Sequence, residues 1–428
     1  MSAIKRRGAF DARWWPDSSI ESNQGDHSWH LSTLDVHSGT YFEGLSAVGY
    51  GFVSGMSSVG SSEASPAKAP YERNTPITAP PAVVPGTTQP QGCKLSVHSD
   101  GGGLVILHLE VDDDDPELAA YSAYCHLIDA GKRLGAPYFL RIWQFFDRIH
   151  DRATRHLNDD LNRPRGCDSL AVDDEAVAAT EHRRLSDDTS LDRYQAFCVG
   201  RARALNEAGL PAGEMPAATA IGRPSGRPPR DLTITAVMAK RPGTCVENPR
   251  QTPAHRYPKL YGPQAPAFAR ATLVDGTILA ESLTTKVLET GDRTRPFGLL
   301  FISGTAAIVG HESMHTADVL AQLDETLTNI EALVARASAM TEQTQSRTTT
   351  NPQASSGCHA FDCHHLRVYL RNPAHREIVL RRLDERLGVL APTSWGNSIW
   401  IDCVHGEICR EELLVEIEAL FARKSIGA

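Results

Sequence analysis

The sequence predicts an α+β fold in which one βαβ-rich unit is used twice. Three observations predict it. In both halves of the 428 residues, short apolar runs of strand length alternate with longer runs of helical period. LRIWQF (140–145) in the first half has a counterpart, LRVYLR (366–371), in the second. LTITAVMAK (232–240) corresponds in the same way to LLVEIEAL (413–420). The length exceeds one ordinary core, and repetition at half-chain distance suggests a tandem duplication.

The elements follow in order. Residues 1–44 are polar and aperiodic, which predicts a disordered tail. LSAVGYGFVSG (45–55) reads as a first strand, followed by a Ser/Pro/Ala-rich connector. KLSVHSD and GGGLVILHLEVDD read as a hairpin turning at the glycines 101–103. The run DDDDPE (112–117) precedes a helical pattern, where aspartates cap the helix and favour its positive end; a metal-binding reading is far weaker. PYFLRIWQFFDRIH begins as a strand, and an acidic, arginine-rich insertion follows at about 152–190. RYQAFCVGRARALNEAG is a helix that Gly209 stops. TAIGRPSGRPPRD is expected to be a loop before the buried strand LTITAVMAK.

The second half repeats this grammar. FARATLVDGTILAES and GLLFISGTAAIVG are strands. The next segment is a long amphipathic helix with Val319, Leu323, Leu327 and Ile330 on one face. A Ser/Thr/Gln-rich insertion covers 341–357, after which HLRVYLRNPAH, REIVLRRLDERLG and ICREELLVEIEAL read as strand, helix and strand. The domains are therefore set at 45–240 and 241–428.

Composition excludes several classes. A formal net charge of −9 argues against general affinity for nucleic acid or acidic membranes. No apolar run reaches the ~18–20 residues that span a bilayer, and no apolar stretch follows the basic N-terminal residues as in a signal peptide. Nine cysteines, an odd number without a CxxC pair, predict free thiols in a reducing compartment, hence the cytoplasm. CHAFDCHH (358–365) lacks the spacing of a zinc site, so no metal is expected. There is no P-loop, dinucleotide fingerprint or nucleophile elbow.

Three segments carry candidate chemistry. Between 244 and 273, Asn248, Arg250, His255, Arg256, Tyr257, Tyr261 and Arg270 are set among five prolines. That segment is either an ordered loop lining a site or a rigid strap between domains. In SGTAAIVGHES (303–313), small residues let a ligand approach the backbone, and Glu312 follows an apolar strand, where burial raises a carboxyl pKa. A helix-start role is the plainer alternative for Glu312, and His311 is read as structural. In ICREELLVEIE, Arg410 precedes the last strand, and Glu416 and Glu418 alternate along it; one of the two carboxylates is expected to face inward, with a solvent face as the alternative for each.

ENPRQ, RYPKLYGP, FARAT, SGTAAIVGHES and ICREELLVEIE, with LRIWQF, the RYQAFCVGRARAL helix and PAATAIG, together resemble the chorismatases over about residues 45–428. The resemblance implies two RidA-like (chorismate-mutase-like) domains. It implies one ligand site where Ser303–Gly304, Arg410 and the Glu416–Glu418 strand meet. PAATAIG stands where an arginine would be expected in the first half, so the pocket is expected in the second domain, closed over by the first. The implied activity is release of pyruvate from chorismate, giving a hydroxybenzoate, 3-hydroxybenzoate first; the alternatives are hydrolysis to a dihydroxycyclohexadiene carboxylate or a non-catalytic carboxylate binder. Glu312 is then the expected acid, with Glu325 next. Arg270 and Arg410 bind substrate, with Arg141 and Arg201 reaching in from the first domain and Tyr257, Tyr261 and Thr305 completing the set. No cofactor is expected, and the partner is chorismate bound to a monomer. GTAAIVG lacks the cysteine that the resemblance associates with hydroxybenzoate-forming members near this loop.

Overall fold

A computed structural model describes residues 5–6, 93–99, 104–153, 191–223, 232–278, 296–348, 361–390 and 399–424. The expected strand at 45–55, the glycine turn, the acidic insertion and most of the expected tail lie outside them. Of the tail, only β1 (Lys5–Arg6) is described, and it pairs in parallel with Trp400–Ile401.

The first half runs β2 (Cys93–Ser99), β3 (Leu104–Val111), α1 (Pro116–Arg133), β4 (Tyr138–Asp147), α2 (Arg193–Glu207), β5 (Ala217–Arg223) and β6 (Leu232–Ala239). The second half runs β7 (Thr244–Val246), β8 (Ala271–Asp275), β9 (Pro296–Ala306), β10 (Ile308–Val309), β11 (Glu312–Ser313), α3 (Val319–Thr348), β12 (Asp362–Leu370), α4 (Arg376–Leu390), β13 (Trp400–His405), β14 (Glu407–Ile408) and β15 (Val415–Lys424).

The two main sheets have the orders β14-β5-β4-β6-β3-β2 and β1-β13-β12-β15-β9-β8-β7. Within them, β5-β4-β6-β3-β2 and β13-β12-β15-β9-β8 are the same pattern. In each, a helix returns the chain to a parallel neighbour (β4 with β5, β12 with β13). The last strand of each pattern then inserts antiparallel between the crossover strand and the hairpin. Thus β4 matches β12 and β6 matches β15, as the paired motifs predict. This is the doubled α+β arrangement that the resemblance implies.

Local chemistry explains the boundaries. Asp115 caps α1 by accepting from the Glu117 and Leu118 amides at 3.0 and 3.2 Å. Asp192 and Gln195 form a capping box at α2, and Gly209 follows that helix at φ 69°. Two expectations need correction. TAIGR belongs to β5 rather than a loop, because its small residues fit beside β4 in parallel register, Trp143 opposite Thr219. The helix α3 also runs on through Thr348, into the segment read as an insertion.

Each sheet is covered on one face by its helices. Leu323, Leu327 and Ile330 of α3 are fully buried against β9, β12 and β15; each such side chain contributes about 1.5–3 kcal/mol. The other faces meet through Leu104, Leu140, Trp143 and Phe145 of the first half and Leu299, Phe301, Tyr369 and Leu420 of the second. The crossover strands and β15 are thereby buried on both faces. That packing creates the electrostatics of the site.

Candidate active site

A cavity opens where the sheets diverge. The first half contributes Asp192, Tyr194, Gln195 and Cys198 from the start of α2. The proline-rich segment contributes Tyr257, Tyr261, Gln264, Pro266, Phe268 and Arg270. Gly304 and Ala306 come from the end of β9 and Ile308 from β10, while Cys409, Arg410 and Leu413 come from the approach to β15 and Glu416 from β15 itself.

Period-two geometry decides which residues of the SGTA segment face inward. Gly304 and Ala306 line the cavity, while Ser303 and Thr305 point away. Ser303 fixes Arg270 instead: its amide and hydroxyl both donate to the Arg270 carbonyl, at 3.0 and 2.7 Å. Thr305 is buried and donates to the Ser303 carbonyl at 2.9 Å, so its expected place in the cavity wall is corrected. A Cβ on Gly304 would overlap Glu416 Oε1, so glycine is the residue that admits this carboxyl. From α3, Asn329 holds the same strand end, its amide donating to the Ala306 and Ile308 carbonyls at 3.1 and 3.0 Å.

Glu416 and Glu418 are both only 5% exposed. The strand β15 packs against α3 on one face and against the first half's sheet on the other, so neither of its faces meets solvent. Two residues apart on one face, the two carboxyls have opposite surroundings. Glu418 pairs with Arg141 at 2.7 Å and Arg367 at 2.9 Å. It also accepts from Trp143 Nε1 at 3.0 Å and the Thr219 hydroxyl at 2.7 Å. Burial alone would raise its pKa, but the two guanidinium groups and these hydrogen bonds outweigh burial and hold it below the ordinary carboxylate range. Glu416 has no such partner among the described residues. Burial, then repulsion from Glu418, pushes it up to about 8, with Arg141 and Arg270 offsetting only part. Two carboxyls whose environments drive their pKa values apart are an acid and a fixed anion side by side.

The cavity cations are Arg270 and Arg410. Arg270 donates to the Tyr257 hydroxyl at 2.6 Å and the Thr252 carbonyl at 2.9 Å. Arg410 donates to the His311 carbonyl at 2.8 Å and Ser313 Oγ at 3.0 Å, and its guanidinium lies 3.9 Å from the Tyr261 ring centroid. Each keeps a buried nitrogen without a hydrogen bond, Nε of Arg270 and Nη2 of Arg410. Two guanidinium groups lining one cavity suit an anionic ligand.

Of the expected residues, the structure brings together Arg270, Arg410, Tyr257 and Tyr261. Glu312 is not among them. The chain turns at Gly310 (φ 61°), β10 and β11 form a short hairpin, and Glu312 faces solvent opposite Val309. The burial that would have made it an acid is absent. Glu325 is tied outside the cavity wall to Arg250 at 2.6 Å and His315 at 3.3 Å. Arg141 lies behind the wall as the partner of Glu418. Arg201 is also buried behind it, within 3.6 Å of Cys198 Sγ and 3.4 Å of Gln144 Oε1. The sequence reading missed the first turn of α2, whose residues carry only a helix signal. It also missed Cys409, which packs against Ala306 and Ile308 and so supplies a thiol beside the loop that has none of its own.

Residues 182–237 match the family model described as Chorismatase FkbO/Hyg5-like, N-terminal. A chorismatase of Streptomyces rapamycinicus is 37% identical over 234 residues, covering 54% of this chain and 58% of the relative. A 3-hydroxybenzoate synthase of Streptomyces hygroscopicus is 31% identical over 235 residues, covering 54% and 57%. The chain thus spans a little over half the length of the curated relatives it matches. A chorismatase crystal structure superposes with a TM-score of 0.53 at 26% identity, covering 78% of each chain. The resemblance to chorismatases read from the motifs is borne out. No helix among the described residues is long and apolar enough to cross a membrane.

Proposed function

We propose that this chain is a chorismatase that releases pyruvate from chorismate, with Glu416 as the proton donor. The observation that carries the reading is a buried carboxyl, its pKa pushed up to about 8 by desolvation, in a cavity that Arg270 and Arg410 also line. Chorismate is a dianion bearing an enolpyruvyl ether. Arg270 and Arg410 are the groups for its two carboxylates. Glu416 gives its proton to the enol methylene, making a methyl group and an oxocarbenium ion, and is left as a carboxylate. Trapping by water, whose proton returns to Glu416, leads through a hemiketal to pyruvate and the ring alcohol. Trapping by the neighbouring ring hydroxyl, whose proton returns to Glu416, gives a cyclic ketal. Its bond to ring carbon 4 breaks as the proton on ring carbon 3 is lost, and collapse of the resulting hemiketal releases pyruvate and a hydroxybenzoate, which together hold the atoms of chorismate. Glu418 cannot serve as donor, because its two arginines keep it ionised. The chemistry as written uses no metal or organic cofactor.

The second outcome is favoured here, with 3-hydroxybenzoate as product. Cys409 on the cavity wall and the similarity to a 3-hydroxybenzoate synthase support it. The seven described cysteines are all free, which supports a reducing, cytoplasmic setting. A monomer is the corresponding proposal for assembly, with domains divided near residue 240.

A lactate-dehydrogenase-coupled assay with chorismate, followed by mass spectrometry of the ring product, tests the reading. Pyruvate with a hydroxybenzoate is expected. Pyruvate with a dihydroxycyclohexadiene carboxylate would move the chain to the hydrolytic type, and binding without pyruvate would make it a carboxylate binder. Arg410→Lys is expected to lower kcat/KM roughly ten- to a hundredfold, about 1.5–3 kcal/mol, since an ammonium cannot form a planar two-point contact. Unchanged kinetics in a folded Arg410→Lys protein would remove Arg410 from the site.

A further inference from the structure

We infer that Arg371 is a positioning residue, whose guanidinium fixes the loop that aims Arg410 into the cavity. The inference rests on the reading above that Arg410 binds a substrate carboxylate. Residues 409–414 form no strand or helix, and their carbonyls have few backbone partners: the Leu413 amide donates to Arg410 O at 3.2 Å and the Arg371 amide to Leu414 O at 3.1 Å. One side chain serves three of the carbonyls around this loop. Arg371 Nε donates to Leu413 O at 2.9 Å, and Nη2 donates to Ile408 O at 2.9 Å and Arg410 O at 2.8 Å. Nη1 donates to Glu407 Oε2 at 2.9 Å, which sets the plane of the guanidinium. The acceptors bracket Arg410 on both sides in sequence.

The anchor itself is fixed. Arg371 directly follows β12, and its amide donates to Leu414 O at 3.1 Å. Gln322 of α3 closes the far end of the loop, donating to Glu412 O at 2.9 Å and accepting from the Leu414 amide at 2.7 Å. Arg371 does not line the cavity. Any effect it has on substrate must therefore pass through the loop. Lysine offers one nitrogen in place of three and cannot reach all three carbonyls together with Glu407.

The test uses the full chain with Arg371→Lys, Arg410→Lys and the double variant. Two readouts are compared: steady-state kinetics with chorismate, and amide hydrogen exchange of peptides covering 407–414. Arg371→Lys is expected to raise KM about tenfold with kcat within about threefold. In the Arg410→Lys background the same change is expected to add less than about twofold, because both act through one contact. Exchange is expected to quicken in 407–414 and to stay unchanged in α3 and β12. Full multiplicative effects in the double variant would overturn the inference, as would unchanged exchange in the loop or equal loosening of α3 and β12. If the wild type does not turn over chorismate, the functional reading fails, while the exchange experiment still decides the role of Arg371. If Arg371→Lys does not fold, Glu407→Gln removes only the carboxylate that aligns the guanidinium. It is expected to give the same pattern with KM raised about threefold, and no change in either readout would overturn the inference.

Discussion

Glu416→Gln is expected to leave a folded protein whose kcat for pyruvate release is lower by roughly 10²–10⁴, the usual contribution of a positioned general acid. Glutamine fills the same space beside Gly304 but has no acidic proton to give. The matched control is Glu312→Gln, expected to stay close to wild type because Glu312 faces solvent. More than about a tenth of wild-type kcat in Glu416→Gln, a loss under ~1.4 kcal/mol, would sink the assignment. The pH dependence has a definite sign. The acid must be protonated, so kcat/KM of the wild type is expected to fall as pH rises through about 8. Stability follows the same direction. Between the ordinary carboxylate range and about 8, the native protein holds a proton that the unfolded chain has released. This contribution is therefore complete at low pH and is lost as pH rises through that window.

Glu418→Gln is expected to cost about 3–5 kcal/mol of folding stability, read from the urea midpoint. Arg141 and Arg367 are 1% and 0% exposed, and each loses its buried carboxylate. Removing the carboxylate that the two arginines share leaves Arg141 desolvated without its ion-pair partner and Arg367 with Asp402 at 3.8 Å, which costs more than the intact cluster contributes. The substitution also reaches the acid. With Glu418 neutral, its repulsion of Glu416 disappears and the arginines are no longer neutralised, so the Glu416 pKa falls. The alkaline limb of kcat/KM is then expected at lower pH than in the wild type. A variant of wild-type stability with an unmoved limb would show that the two carboxyls are not coupled. In the wild type, Glu418 contributes stability above the ordinary carboxylate range, and this is lost as pH falls through its depressed pKa.

The repeat was legible because strand and helix periods are local properties of the chain. The pairing of LRIWQF with LRVYLR and of LTITAVMAK with LLVEIEAL marks strands that occupy the same positions in the two sheets. Tyr257, Tyr261 and Arg270 were legible as polar and aromatic residues of a proline-rich segment, read as a site-lining loop or a strap, and Arg410 through its place before the last strand in the resemblance. The strand at 217–223 was not, because Ala, Thr and Gly carry little strand signal and gain it only beside β4.

By itself the sequence determined a twice-used α+β unit, an arginine- and tyrosine-bearing segment, and a last strand along which Glu416 and Glu418 alternate. Only the tertiary structure separates the carboxyls by their surroundings, and the proposed acid follows from that separation. Glu312 and Glu416 each stand beside apolar sequence, and nothing local separates them. One is on a hairpin turned to water, and the other is on a central strand between two packed sheets. Glu418 is held ionised by Arg141, 277 positions away in the chain. Desolvation and counter-charge set a pKa, and both come from residues that only the packing of the two halves brings within a few ångströms.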